Sequence, residues 1–208
     1  MEYSKKAPIL VILAGGKSTR MKHPKGLLPY KNSFWILWQI ERFIGSEICI
    51  GLGYDHQLYF DAIPWLKKAA HKPISYKNKN IRVILNPNPA LGPFSNLQSV
   101  LKHSALHADI IFLPVDVPLF HQSAQKKLFS PDNLLVIPTY QGKKGHPIKI
   151  NAAFTNTILA INPKEKNARL DYLIQTKKAS EISLIEVTDA CCIKNLNTPE
   201  DWQQFVSN

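Results

Sequence analysis

Two glycines followed by a run of cations mark the first place in this chain where chemistry could occur. Gly15 and Gly16 end an apolar run, and Lys17, Ser18, Arg20, Lys22 and Lys25 come directly after them. Glycine has no Cβ, so the backbone can turn sharply there and a ligand can lie against the amides. Cations and a hydroxyl around such a turn suit phosphate oxygens, and arginine can hold them bidentately. The spacing is neither that of a Walker loop nor that of a dinucleotide-binding GxGxxG. Asp116, within LPVDVPLF, is the second candidate. A carboxylate at the end of a buried strand is costly unless a cation neutralises it. Mg²⁺, held by one carboxylate, phosphate oxygens and water, meets that need; an aspartate that caps the next turn is the structural alternative. Asn195 and Asn197 stand in KNLNTPEDW, where Asn197 or Thr198 can cap a helix opened by Pro199 with Glu200 and Asp201 in its first turn.

The combination LAGGxSxRM followed by a Pro-Lys pair resembles the opening of the MobA-like nucleotidyltransferases, the guanylyl- and cytidylyltransferases of molybdenum cofactor assembly and their relatives. Further matches follow in the family's order: Asn86 with Gly92, Pro93 and Ser95; the LPVDVPL segment; GKKGHPIKI around His146; Ala168-Arg169-Leu170; and NLNTPEDW. The resemblance spans residues 8–205 and implies a single Rossmann-like α/β domain of the nucleotide-diphospho-sugar transferase type, with a mostly parallel sheet flanked by helices. It implies transfer of a nucleoside monophosphate from CTP or GTP to a phosphorylated acceptor of the molybdopterin type, with release of pyrophosphate and with Mg²⁺ as cofactor. A sugar phosphate or another metabolite is the alternative acceptor. Carried over residue by residue, Lys25, Arg20 and Asp116 are catalytic, and Leu13, Ala14, Gly15, Gly16, Ser18, Asn86 and Gly92 bind nucleotide. His146 and Arg169 face the acceptor, and Asp116 with Asn195 holds the metal. The GHP and late arginine elements lean towards CTP, whereas the Gly15-Gly16 pair leans towards a purine. Three positions depart from the family pattern: Lys22 replaces a glycine, Ala168 replaces a common glycine, and the 57–80 connection is longer than usual.

These residues need strands and helices to bring them together. The run Ile9–Leu13 leaves no polar face and reads as a buried parallel strand. Further strands are expected at Glu47–Gly51, Ile81–Leu85, Asp109–Pro114, Asn133–Pro138, Pro147–Ile150, Ile182–Val187 and Cys191–Ile193. Ser33 is expected to cap a helix reaching about Gly45, with Phe34, Leu37, Trp38 and Phe43 on its apolar face. Pro93 or Ser95 opens another to about His107, with Leu97, Val100, Leu101 and Leu106 inward. Short helices are expected near Asp61–Ala70, Phe154–Ile161 and Ala168–Thr176, and a last one starts at Pro199. Strands alternating with helices imply a doubly wound, mostly parallel sheet, whose ligands sit beyond the strands' carboxyl ends. Residues 57–80 are expected to make a surface excursion rich in solvated lysine.

The 208-residue chain is sized for one domain, 1–208. Its net charge of +11 points to an acidic partner such as a nucleotide or a phosphorylated metabolite. A non-catalytic binder of nucleotide or nucleic acid is the alternative of a different class, although the bases are not interleaved with aromatic residues as in RNA modules. The basic 57–80 surface is a candidate contact for a protein partner. Three cysteines without metal-ligand spacing suit small buried hydrophobes in a reducing cytoplasm. Lys5, Lys6 and the apolar run after them are too short for a signal segment, and no stretch is long enough to span a membrane.

Overall fold

The computed structural model describes residues 7–103 and 108–207. Its elements in chain order are β1 (Ile9–Ala14), β2 (Pro29–Tyr30), β3 (Ser33–Phe34), α1 (Trp35–Arg42), β4 (Glu47–Leu52), α2 (His56–Ala62), α3 (Pro64–His71), β5 (Ile74–Tyr76), β6 (Lys79–Leu85), α4 (Gly92–His103), β7 (Ile110–Pro114), α5 (Gln122–Phe129), β8 (Leu135–Tyr140), β9 (Lys143–Lys144), β10 (Ile148–Ile150), α6 (Ala152–Ala160), α7 (Leu170–Gln175), β11 (Ile182–Glu186) and α8 (Pro199–Val206). Lys5, Lys6, Leu106 and His107 lie outside the described residues.

One mixed sheet runs in the order β11-β8-β10-β7-β1-β4-β6-β5, with β9 paired to β8. β1 is central because both its faces are apolar. Leu10, Ile12 and Ala14 pack into the core beneath α1, and Ile9, Val11 and Leu13 pack into the core beneath α4 and α6. It pairs in parallel with β4 and β7, and β4 pairs in parallel with β6. β10 is antiparallel to β7 and β8, and β5 is antiparallel to β6, so the sheet is mostly parallel, as expected. The carboxyl ends of β1, β4 and β7 therefore open side by side, where ligands bind in such sheets.

Several local expectations are corrected. Ser33 does not cap α1: it lies in the β2–β3 hairpin, and Phe34, in extended conformation, precedes the helix without a side-chain cap. The cause is the turn. Lys31 and Asn32 adopt φ of 47° and 61°, the left-handed pair that two-residue hairpins require and asparagine tolerates. The face buried by α1 includes Trp35, Ile36, Gln39 and Ile40, whereas Trp38 is only partly buried. Residues 57–80 are not an excursion. α2, α3 and the Ile63 that joins them bury Tyr59, Phe60, Ile63, Leu66 and Ala69, and β5 closes the sheet edge through a Lys77-Asn78 turn with φ of 44° and 62°. Lys67, Lys68, Lys72 and Lys77 are exposed as expected, but Lys79 is not: its Nζ donates to the carbonyls of Phe43 and Gly45. Cys191–Ile193 forms part of a 3-10 turn, Ala190–Ile193, and not a strand, because the Asp189 side chain accepts the Cys191 N–H at 3.0 Å. α5 has no counterpart in the sequence reading. Among the described residues, no helix is long and apolar enough to cross a membrane.

Candidate active site

The glycine turn and the strand ends around it enclose a cavity of about 610 Å³. Its wall includes Leu13, Ala14, Gly15, Gly16, Lys17, Ser18, Arg20, Lys25, Gly92, Asp116 and Asn197, all named from the sequence, together with Tyr54 and Asn96, which were not. Asn86, His146, Arg169 and Asn195 are not in that wall.

The glycines differ in what they permit. A Cβ on Gly16 would meet open space, so this is the residue whose bare backbone a ligand can approach. A Cβ on Gly15 would collide with the Asn96 carboxamide, so its missing side chain admits that amide instead. Beyond them Ser18 and Lys22 adopt positive φ of 48° and 56°, and the Lys22 N–H bonds the Ser18 carbonyl at 2.9 Å. Lys22 thus keeps the left-handed backbone that favours glycine, at a cost of about 1 kcal/mol for a side-chain-bearing residue. Lys25 follows at the start of a 3-10 turn. Its N–H reaches the Ser18 hydroxyl at 3.3 Å, and the next N–H, of Gly26, donates to the buried Tyr59 hydroxyl at 3.2 Å. Burial pushes the Tyr59 phenol up, so it stays protonated.

Lys25 is the centre of the site. Its Nζ lies 2.7 Å from Asp116 Oδ2 and 2.7 Å from Asn197 Oδ1, with the lysine and aspartate side chains only 13% and 23% exposed. Asp116 is the only carboxylate in the cavity wall among the described residues. Its loop is held from both sides. The Val115 N–H bonds the Leu13 carbonyl at 3.1 Å, joining the ends of β7 and β1, and the Asp116 carbonyl accepts the Leu196 N–H at 2.8 Å. From α1, the Trp35 indole N–H donates to the Val115 carbonyl at 2.6 Å. The fully buried Gln39 donates to the Val117 carbonyl at 2.9 Å and accepts the Leu119 N–H at 2.8 Å.

Replacing Gln39 by leucine leaves the Val117 carbonyl and Leu119 N–H without these partners. Each orphaned buried group costs about 1 to 3 kcal/mol. The variant is expected to lose roughly 3 kcal/mol of stability, about 10 °C in Tm for a chain of this size, measured by thermal unfolding. In the sequence Gln39 is a polar residue inside the apolar run of α1, a pattern that signals a buried hydrogen-bonding role.

The remaining candidates sit elsewhere. Asn195 is exposed and lines a different hollow with Lys194, Asp201 and Gln204, whereas it is the Asn197 amide that reaches the Lys25 ammonium beside Asp116. The Asn197 N–H bonds the Asn195 carbonyl at 3.0 Å, a tight turn that makes the two side chains diverge. Thr198, not Asn197, caps α8. Asn86 is turned inward. Its amide donates to the Ser95 hydroxyl at 2.9 Å and accepts the Asn88 N–H at 3.0 Å, fixing the loop that leads to Gly92. His146 packs edge-on against Phe112, with ring centres 5.6 Å apart, and burial pushes its imidazole down, with Asp116 pulling the other way. Its backbone N–H bonds the Cys192 carbonyl at 2.8 Å, and Gly145 is bare because that same carbonyl would meet a Cβ. Arg169 is paired with Asp171 at 2.6 Å on the rim of a smaller cavity of about 380 Å³, which shares Phe112 and Pro93 with the first. Among the described residues, no three His, Cys, Asp or Glu side chains cluster to make a metal cage.

A family model described as the MobA-like NTP transferase domain matches residues 10–179. The molybdenum cofactor guanylyltransferase of Xanthomonas euvesicatoria pv. vesicatoria (strain 85-10) is 22% identical over 196 residues, 94% of this chain and 93% of that protein. The crystal structure of Rv0371c from Mycobacterium tuberculosis H37Rv in complex with manganese has a TM-score of 0.70 at 16% identity, over 98% of this chain and 100% of that one. Molybdopterin-guanine dinucleotide biosynthesis protein A from Archaeoglobus fulgidus has a TM-score of 0.66 at 14% identity, over 96% and 97%. At such identities the structural likeness establishes the fold, which is the nucleotide-diphospho-sugar transferase type. The family match covers the glycine turn, Lys25, Asp116 and the strands that carry them, and this chain is therefore a nucleotidyltransferase belonging to the MobA-like NTP transferase family.

Proposed function

We propose that this protein transfers a guanylyl group from GTP to the phosphate of a molybdopterin-type acceptor and releases pyrophosphate. The observation that carries the reading is the convergence of Lys25, Asp116 and Asn197 beside a glycine turn furnished with Ser18 and Arg20. GTP is favoured over CTP for a geometric reason. Gly16, of the pair that leans towards a purine, presents its open face in the cavity, whereas His146 and Arg169 lie outside its wall and bear on the acceptor. The name of the Xanthomonas relative supports the same choice.

The reaction joins two anions. An acceptor phosphate oxygen attacks the α-phosphorus of GTP, forming one P–O bond as the bond to the β-phosphate oxygen breaks. Positioning and charge neutralisation are the work required, and no protein nucleophile is needed. Backbone amides at Gly15 and Gly16, the Ser18 hydroxyl and the Arg20 guanidinium orient the phosphates. Lys25 places its ammonium against the α-phosphate as negative charge spreads in the transition state.

The donor set also fits a hard divalent cation. The carboxylate of Asp116 and the amide oxygen of Asn197 already converge on one positive charge, the Lys25 ammonium, which stands in for it. Without a cage of protein ligands, these two oxygens and substrate phosphates would hold Mg²⁺ together. When bound, it supplies Lewis-acid neutralisation of the phosphate oxygens. The manganese complex of the Mycobacterium fold relative supports a divalent ion. Arg169, if released from Asp171, is placed to meet an anionic acceptor in the adjoining cavity.

The test offers GTP, CTP, ATP and UTP separately with Mg²⁺ and molybdopterin, and reads pyrophosphate. Selective turnover of GTP is the expected result. Preference for CTP moves the protein to the cytidylyl branch, and binding of GTP without turnover in any well refutes the acceptor.

A further inference from the structure

The lysine at the centre of the site stands on a slender support. Lys25 opens a 3-10 turn of three residues, Lys25–Leu27, and the bond that closes it, from the Leu28 N–H to the Lys25 carbonyl, is 3.3 Å long. So short a turn, with hydrogen bonds of poorer geometry than a helix, does not hold its own shape firmly. Its side chain nevertheless has to meet Asp116 Oδ2 and Asn197 Oδ1 together, each at 2.7 Å. A misplacement of about 1 Å in such a site costs turnover heavily.

The support comes from the segment that follows β4. Gly53 lies so close to the glycine turn that a Cβ on it would meet the Gly15 carbonyl, and the Tyr54 N–H bonds that carbonyl at 3.3 Å. Five residues on, in α2, the Tyr59 hydroxyl accepts the Gly26 N–H at 3.2 Å. Residues 53–59 therefore brace the loop at both ends, at Gly15 and at Gly26. Gly26 has to be bare for this, since a Cβ there would stand 2.7 Å from the phenol oxygen. Tyr59 is 2% exposed and forms part of the cavity wall, and among the described residues the Gly26 N–H is the one hydrogen-bond partner of its hydroxyl. Burying a hydroxyl is costly. Phenylalanine would fill the same space without that cost, so the oxygen serves the bond it makes.

We propose that Tyr59 is a positioning residue for Lys25: by accepting the Gly26 N–H, its hydroxyl fixes the turn that carries the ammonium to Asp116 and Asn197. This rests on the role given to Lys25 above and deepens it. Tyr59→Phe keeps the ring and removes only the acceptor, which leaves the Gly26 N–H unpaired and the turn free to drift.

The experiment compares the wild-type full chain with Tyr59→Phe, Lys25→Met and the double variant in two measurements: titration with Mn²⁺ in the absence of nucleotide, and turnover of GTP with Mg²⁺ and molybdopterin. Tyr59→Phe is expected to bind Mn²⁺ about threefold or more tightly than wild type, because an ammonium on a loosened turn occupies Asp116 and Asn197 for less of the time. Its kcat is expected to fall about tenfold with KM for GTP within about twofold, since the phosphates keep Ser18 and Arg20. In Lys25→Met there is no ammonium left to position, so adding Tyr59→Phe is expected to change either measurement by less than about twofold. Unchanged Mn²⁺ affinity in Tyr59→Phe overturns the proposal. Weakened Mn²⁺ binding with a lowered Tm, or equal losses of kcat with and without Lys25, also overturns it and makes the phenol a general strut of the cavity. Absence of GTP turnover in the wild-type protein overturns the reading of the substrates alone, and the Mn²⁺ comparison still decides the role of Tyr59.

Discussion

Asp116→Ala is expected to lower kcat by about 10²- to 10³-fold, the range seen when one preorganised electrostatic group is removed from a site. The residue supplies the only negative charge in the cavity wall among the described residues, opposite Lys17, Arg20 and Lys25. Its carboxylate both anchors the Lys25 ammonium at 2.7 Å and provides the charged donor that a divalent ion needs. Asp116→Asn is the sharper variant, since it keeps the shape and one acceptor oxygen while removing the charge, and it is expected to lose nearly as much. The backbone of this loop is fastened by Trp35, Gln39 and Leu196 through main-chain groups that neither substitution touches. Circular dichroism and thermal unfolding should therefore show a folded protein. A folded Asp116→Asn variant that keeps kcat within tenfold of wild type would refute the role of the charge.

Lys25→Met is expected to move two measurements in opposite directions. Turnover should fall by about 10²- to 10³-fold, because the charge developing on the α-phosphate loses its nearest ammonium. Binding of Mn²⁺ to the protein without nucleotide should tighten, by about tenfold or more, because the ammonium no longer competes for Asp116 Oδ2 and Asn197 Oδ1. Methionine keeps most of the side chain's apolar length, so the half-buried stem stays packed. Titration of free Mn²⁺ by its paramagnetic resonance signal reads the second effect without any turnover. Unchanged Mn²⁺ affinity would mean that the lysine does not stand in the cation's place. This arrangement also keeps the free protein from carrying an uncompensated carboxylate in a low-dielectric cleft.

What the amino-acid order determined by itself is the frame and its charged mouth. β1 was legible because Ile9 to Leu13 offer no polar face, which only a strand covered on both sides can use. The glycine turn with Ser18, Arg20 and Lys25, and Asp116 after a second apolar run, were legible because each pairs a strand end with residue types that suit phosphate or a cation. Two of the three tight hairpins among the described residues had a local signal too, since Tyr-Lys-Asn occurs at 30–32 and again at 76–78 and each time turns the chain with positive φ.

Only the tertiary structure decided which polar residues meet. Asn195 and Asn197 are equivalent as letters, and a turn in which the Asn197 N–H is shared between the Asn195 carbonyl and Asp201 Oδ2 leaves one in the cavity wall and the other at the surface. Asn86 and Asn96 both flank the same loop, yet one closes it from within and the other lines the cavity wall. Gln39 fastens the loop of Asp116 across nearly eighty residues of chain, Val117 being 78 positions away. Side-chain direction at a strand end depends on packing between segments distant in sequence, and period and propensity describe only neighbours along the chain.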